Sequence, residues 1–147
     1  MNKLKNRLSP DEELKVENAI LEAEKMTSCE IRVHIQSHCQ KDVMDLAAEV
    51  FAELNMHKTA QRNGILIFIA IEDHQLAIIG DVGINAVVPE NFWEDEKDLL
   101  ISYFKREAYG DGLEAAILQA AKQVMEYFPA KPEEGDQLSN DISYGQS

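Results

Sequence analysis

Cysteine is scarce in this sequence: Cys29 and Cys39 are the only two in 147 residues. Two thiols cannot staple a small secreted scaffold, and in a chain without an export signal they are expected to be reduced. The start of the chain, Met1-Asn2-Lys3-Leu4-Lys5-Asn6-Arg7, is basic, but no apolar stretch follows it, so it does not read as a secretory signal. Long hydrophobic runs are also missing. The longest, 65–71, has the length of a strand and falls well short of the ~20 residues that span a bilayer. Positive charge is in short supply, with 14 Lys and Arg against 27 Asp and Glu and a net charge of −13. Such a surface repels phosphate backbones and anionic headgroups, which argues against nucleic acid and membrane surfaces as partners and favours a cation or a basic protein face. The expectation is a cytoplasmic protein without direct membrane insertion. The nucleophile-elbow, P-loop and dinucleotide glycine fingerprints are all absent.

What is present is patterned apolar sequence, 45% of the chain, enough for one core. Ser9-Pro10-Asp11-Glu12 is a helix start: Ser9 caps, Pro10 suits the first helical position, and Glu12 completes a capping box. Val16, Ala19, Ile20, Ala23 and Met26 continue that helix at a period of 3.6. Residues 30–36 alternate polar and apolar and predict a strand with Ile31, Val33 and Ile35 inward and a wetter opposite face. Residues 42–54 carry a second helical stripe. Residues 64–71 are apolar on both faces, as a covered central strand requires. A short polar turn leads to a third strand, 75–80, too close for a crossover, so the pair predicts an antiparallel hairpin. Pro89 is expected to open a third helix bearing Phe92, Trp93, Leu99, Leu100, Tyr103 and Phe104, with Tyr109-Gly110-Asp111-Gly112 as its break. A fourth helix carries Leu113, Ala116, Ile117, Ala120, Val124, Tyr127 and Phe128, with Pro129 as its stop. The predicted organisation is one α/β domain over 1–130, an α/β/α sandwich with a small mixed sheet, followed by a polar tail over 131–147.

Three stretches carry a family resemblance: 27–33 (Thr27-Ser28-Cys29-Glu30-Ile31-Arg32-Val33), 62–67 (Arg62-Asn63-Gly64 leading into the strand), and 78–84 (Ile78-Ile79-Gly80-Asp81-Val82-Gly83-Ile84), with Tyr109 and Gly112-Leu113 beyond them. In this order and spacing the chain resembles the TPM domain over roughly 9–128. The resemblance implies an α/β/α sandwich with a mixed sheet. Acid phosphatase activity and divalent-cation binding are associated with the plastid branch, and other branches look like partner-binding or assembly modules. The chain departs from the family pattern in lacking an export signal, a membrane anchor and a strand before the first helix, in having Cys29 where a glycine is common, and in having Ala108 where a polar residue is common.

The predicted topology gathers chemistry at one end of the sheet. A hairpin over 64–80 sets Arg62, Asn63 and Gly64 beside Gly80, Asp81 and Gly83, and parallel pairing brings Ser28 and Glu30 to the same end. Asp81, with Asn63 and backbone carbonyls, forms a candidate site for Ca²⁺ or Mg²⁺, and Arg62 is a candidate anion clamp beside it. The competing account is structural: Asp81 and Gly83 make a turn, Asn63-Gly64 is turn chemistry, and Arg62 pairs with Asp81 or Glu30. His34, His38 and Cys39 do not predict a zinc site, because the two histidines lie about 13 Å apart along an extended strand. Cys29 is expected to pack at a turn. Phe92 and Trp93 are neighbours and cannot both point inward, so one is expected to mark a contact site. Two functions follow from this reading: a protein-interaction module with a protein partner, or a cation-assisted phosphomonoester hydrolase.

Overall fold

The computed structural model describes residues 8–130 and 141–145. The chain begins with α1 (Pro10–Met26), whose capping box is formed as its residues dictate. The Ser9 amide donates to Glu12 Oε1 at 2.9 Å and the Glu12 amide to Ser9 Oγ at 3.2 Å, closing two orphan donors of the first turn. Strand β1 (Glu30–Gln36) follows, then α2 (Val43–Glu53), capped by Asp42, whose carboxylate accepts from the Met44 and Asp45 amides. Asn55, at a left-handed φ of 60°, ends that helix and opens a short 3-10 turn, Met56–Lys58.

Strands β2 (Gly64–Ala70) and β3 (Gln75–Gly80) form the expected hairpin, with Ile65 opposite Gly80 and Ala70 opposite Gln75. Strand β1 lies parallel to β2, pairing Glu30 with Gly64 and Gln36 with Ala70. Every residue of β2 is buried, because the strand is covered on both faces. Ile65, Ile67 and Ile69 join Ile31, Val33 and Ile35 in the larger core, against Val16 and Ile20 of α1 and residues of the later helices. Leu66, Phe68 and Ala70 face the other way, onto Ala47, Val50 and Phe51 of α2 and onto Met56. This is the three-layer arrangement expected from the sequence.

Several local expectations are corrected. The face of β1 read as wetter is closed: His34 and Gln36 are buried, and the His34 ring stacks on Phe68 with centroids 5.3 Å apart. After β3 the chain turns into a short helix, α3 (Val82–Asn85), where only a glycine-containing loop was expected. Pro89 sits in a turn whose carbonyl accepts from the Phe92 amide at 3.0 Å, so α4 runs Phe92–Phe104 and starts later than predicted. The segment Tyr109-Gly110-Asp111-Gly112 is not a break but the first turn of α5 (Tyr109–Val124). Its glycines serve packing: a Cβ on Gly112 would lie 2.7 Å from Tyr103 Cβ, and one on Gly110 would lie 3.0 Å from Glu12 Cγ. Two absent side chains let α5 settle against both α4 and α1, and that contact outweighs the glycine's helix cost of about 1 kcal/mol.

Residues 131–140 of the expected tail lie outside the described residues. Within 141–145 the chain adds β4 (Ser143–Tyr144), parallel to β1, which completes the sheet order β3-β2-β1-β4. Ile142 enters the larger core.

Candidate functional site

The residues gathered by topology do meet. The Asp81 amide donates to Gly64 O at 2.9 Å, the Glu30 amide to Asn63 O at 3.3 Å, and the Gly83 amide to Arg62 O at 2.9 Å. Arg62 grips Asp81 with two parallel bonds, Nε to Oδ2 at 2.8 Å and a terminal nitrogen to Oδ1 at 2.9 Å, the strongest geometry for this pair. The Asp81 side chain is buried while that of Arg62 is half exposed, so the guanidinium lies over the carboxylate from the solvent side. The hydrogen bond that Arg62 donates to Asp81 is the main cause that raises the Arg62 pKa. Asp81 also caps α3, Oδ1 accepting from the Val82 amide at 2.7 Å. Both carboxylate oxygens are therefore engaged.

Arg62 holds this position from a left-handed backbone, with φ of 51°. Gly83 is the residue that permits it: a Cβ there would fall 2.2 Å from Gln61 O and 2.6 Å from Arg62 O. Asn63 is almost fully buried; its amide nitrogen donates to Ser28 Oγ at 3.3 Å, and Gln61 Nε2 donates to the same oxygen at 3.1 Å. The Asn63 carbonyl oxygen, Oδ1, is buried without a hydrogen-bond partner. Asn63 Oδ1 is an orphaned acceptor, but both Asp81 oxygens are engaged, so a hard cation held by Asp81 at this corner would require the guanidinium to leave it. Among the described residues no group of three or more His, Cys, Asp and Glu is placed to hold a metal ion.

The histidines have unlike surroundings. His38 Nδ1 lies 2.9 Å from Asp73 Oδ1, and that hydrogen bond raises its pKa, while Asp73 also accepts from the Cys39 amide at 2.7 Å. His34 is buried, which lowers its pKa. Cys29 lies in the core, and burial pushes its thiol up to about 12, so no thiolate forms near neutral pH. Neither described cysteine is in a disulfide. Phe92 points inward and Trp93 is half-buried, meeting it edge-on at 4.7 Å. The Trp93 indole covers Gly80 and donates to Asn85 Oδ1 at 2.7 Å, so it clasps α3 and α4 to the sheet rather than standing free.

One opening was not anticipated. A cleft of about 400 Å³ lies at the carboxyl end of β2, walled by Ile69, Ile71, Leu76, Ile101, Phe104 and Tyr109, with His74, Lys105 and Glu107 among its other lining residues. It is at the opposite end of β2 from the Arg62–Asp81 corner, a strand's length of about 20 Å away. His74 and Glu107 both adopt left-handed backbones, with φ of 56° and 59°. Lining residues from four elements meet here only in the folded chain. Two polar features were also missed: the buried Glu96, and the part-buried His34–Ser143 pair across the β1–β4 edge.

Comparison with known proteins agrees with this architecture. The model of the TPM domain matches residues 1–123. The NMR structure of BA42 from the psychrophilic bacterium Bizionia argentinensis is similar at 41% identity and a TM-score of 0.91, covering 99% of this chain and 100% of that one. The N-terminal domain of a protein from P. gingivalis shares the fold at 20% identity, TM-score 0.62, over 82% of this chain and 77% of that one. The N-terminal domain of a Corynebacterium glutamicum protein does so at 12% identity, TM-score 0.63, over 95% and 81%. No curated protein matches the chain. No described helix is long and apolar enough to cross a membrane. The matched stretch covers most of the sequence, with both candidate ends of the sheet inside it: the chain belongs to the TPM domain family.

Proposed function

We propose that this chain is a protein-interaction module that takes an apolar side chain of a partner into the cleft at the carboxyl end of β2. The observation that carries this reading is the cleft itself: six large apolar side chains wall it, its volume is in the range of ligand pockets, and Lys105 and Glu107 stand exposed beside it without an ion pair to any described residue. Two exposed charges of opposite sign fit a partner presenting an apolar anchor between an acidic and a basic group. A photo-crosslinking residue at Lys105 in the native cell should capture one protein, identified by mass spectrometry and lost on Ile101→Glu. The same residue at Lys122 should not capture it. Equal capture from both positions would remove the reading.

A second reading, a divalent-cation-assisted phosphomonoester hydrolase, is favoured by the orphaned Asn63 Oδ1 at the end of the sheet where Asp81 also lies. Arg62 would clamp the phosphoryl oxygens once it left Asp81. Millimolar Ca²⁺ or Mg²⁺ should then raise the melting temperature of the wild type but not of Asp81→Asn. Hydrolysis of p-nitrophenyl phosphate should disappear in Asp81→Ala, and equal rates in mutant and wild type would exclude it.

A further inference from the structure

Side chains, more than ladder length, fasten β4 to the sheet. It pairs with β1 at His34↔Ser143 and Ile35↔Tyr144, and the Gly145 amide adds a bond to Ile35 O at 2.8 Å. So short a pairing is not stable by itself. His34 Nε2 lies 2.8 Å from Gln36 Oε1, whose amide nitrogen donates to His38 O at 2.9 Å. An amide oxygen only accepts, so Nε2 carries the hydrogen. Burial keeps the imidazole neutral at pH 7, which leaves Nδ1 as an acceptor, and the Ser143 hydroxyl donates to it at 2.9 Å. The Tyr144 phenol donates to Glu13 Oε2 of α1 at 2.6 Å. Ile142 fills the core, and a Cβ on Gly145 would strike Gln36 Oε1 at 2.4 Å and His34 Nε2 at 2.9 Å. Each position thus reads a residue type: apolar, hydroxyl, phenol, glycine.

We infer that the outer edge of β1 is a strand-docking edge, filled in this structure by the chain's own residues 142–145, and that an extended partner segment of the pattern apolar–hydroxyl–tyrosine–glycine binds there by displacing them. Parallel strand addition supplies the main-chain bonds, and His34 and Glu13 supply the selection. The tethered segment competes at an effective concentration near the millimolar range, so it acts as a built-in inhibitor that a partner must outbid. This inference stands on a different face from the cleft and survives its failure.

The test uses the full chain and, as probe, a fluorescein-labelled peptide of residues 140–147. Gly145→Val in the chain expels its own segment by the clash just described. A second variant, Ser143→Ala/Tyr144→Ala, releases it by deleting its anchors without adding bulk. Both variants should keep the wild-type amide spectrum for residues 10–124 outside the β1 edge and bind the peptide roughly tenfold or more tightly than the wild-type chain does. Peptides carrying Ser143→Ala or Gly145→Val should bind roughly tenfold more weakly than the natural peptide. The inference is overturned if folded variants with a released segment bind no peptide, or if the altered peptides bind as well as the natural one. It is also overturned if the wild-type chain is a dimer that Gly145→Val converts to monomer, since the edge would then serve exchange between copies.

Discussion

Glu96 gives the sharpest quantitative test of the packing. It lies on the inward stripe of α4 between Phe92 and Leu100, 2% exposed, and its Oε2 has no hydrogen-bond partner. Burial first, and the neighbouring Asp95 second, push its pKa from 4.5 to about 8. At pH 7 the folded protein therefore holds a proton that the unfolded chain has released. Because the folded pKa is raised, stability from this group is complete below the unfolded value and is lost as pH rises toward the folded one. Each pH step inside that window removes up to about 1.4 kcal/mol, so the loss at pH 7 reaches about 3 kcal/mol. Glu96→Gln keeps the shape of the protonated acid and cannot ionise. It should be more stable than wild type by about 2–3 kcal/mol at pH 7, and the gain should shrink to nearly nothing at pH 4. Urea unfolding followed by circular dichroism at pH 4, 5.5, 7 and 8.5 measures this through the midpoint at constant m-value. A difference that stays constant across that range would refute the reasoning, since the carboxyl would then carry the same charge folded and unfolded.

Other outcomes follow from single contacts. Gly83→Ala drives a Cβ into Gln61 O and Arg62 O and should cost about 2–3 kcal/mol; urea unfolding within about 0.5 kcal/mol of wild type would show that the loop yields. NMR titration should find His34 below and His38 above the ordinary value near 6.5, so their stability contributions oppose each other: His34's fades as pH falls below that value, His38's as pH rises through its own raised value. The reverse order would contradict the burial of His34 and the Asp73 bond of His38. Ellman's reagent should titrate Cys39 in the native protein and reach Cys29 only on unfolding; simultaneous reaction of both would show that the core opens at Thr27–Cys29.

The elements that sequence periodicity located correctly are those whose signal is local. Ser9 and Glu12 form their capping box within a single turn. The alternation of 30–36 and the unbroken apolar run from Gly64 gave both parallel strands, because two-sided burial leaves its mark residue by residue. The corner of Arg62, Asn63 and Asp81 was legible one step further on, since a hairpin over 64–80 must bring its two ends together. The sequence narrowed the partner of Arg62 to Asp81 or Glu30; the choice of Asp81 was not legible, because it depends on which carboxylate the left-handed turn faces.

Long-range packing decided the rest. Gly110 and Gly112 read as a break in any local scan, yet lie inside α5, where missing side chains admit Tyr103 and Glu12. Ser143 and Tyr144 carry no strand signal of their own and become a strand because His34, Glu13 and the open edge of β1 wait more than a hundred residues away in sequence. The sequence by itself determined the existence of the four longer helices, the order of the central strands and the layered class, all of which follow from periodicity and caps. Tertiary structure alone decided the cleft, the neutral Glu96 and the docked edge, because each exists only where residues distant in sequence exclude water together.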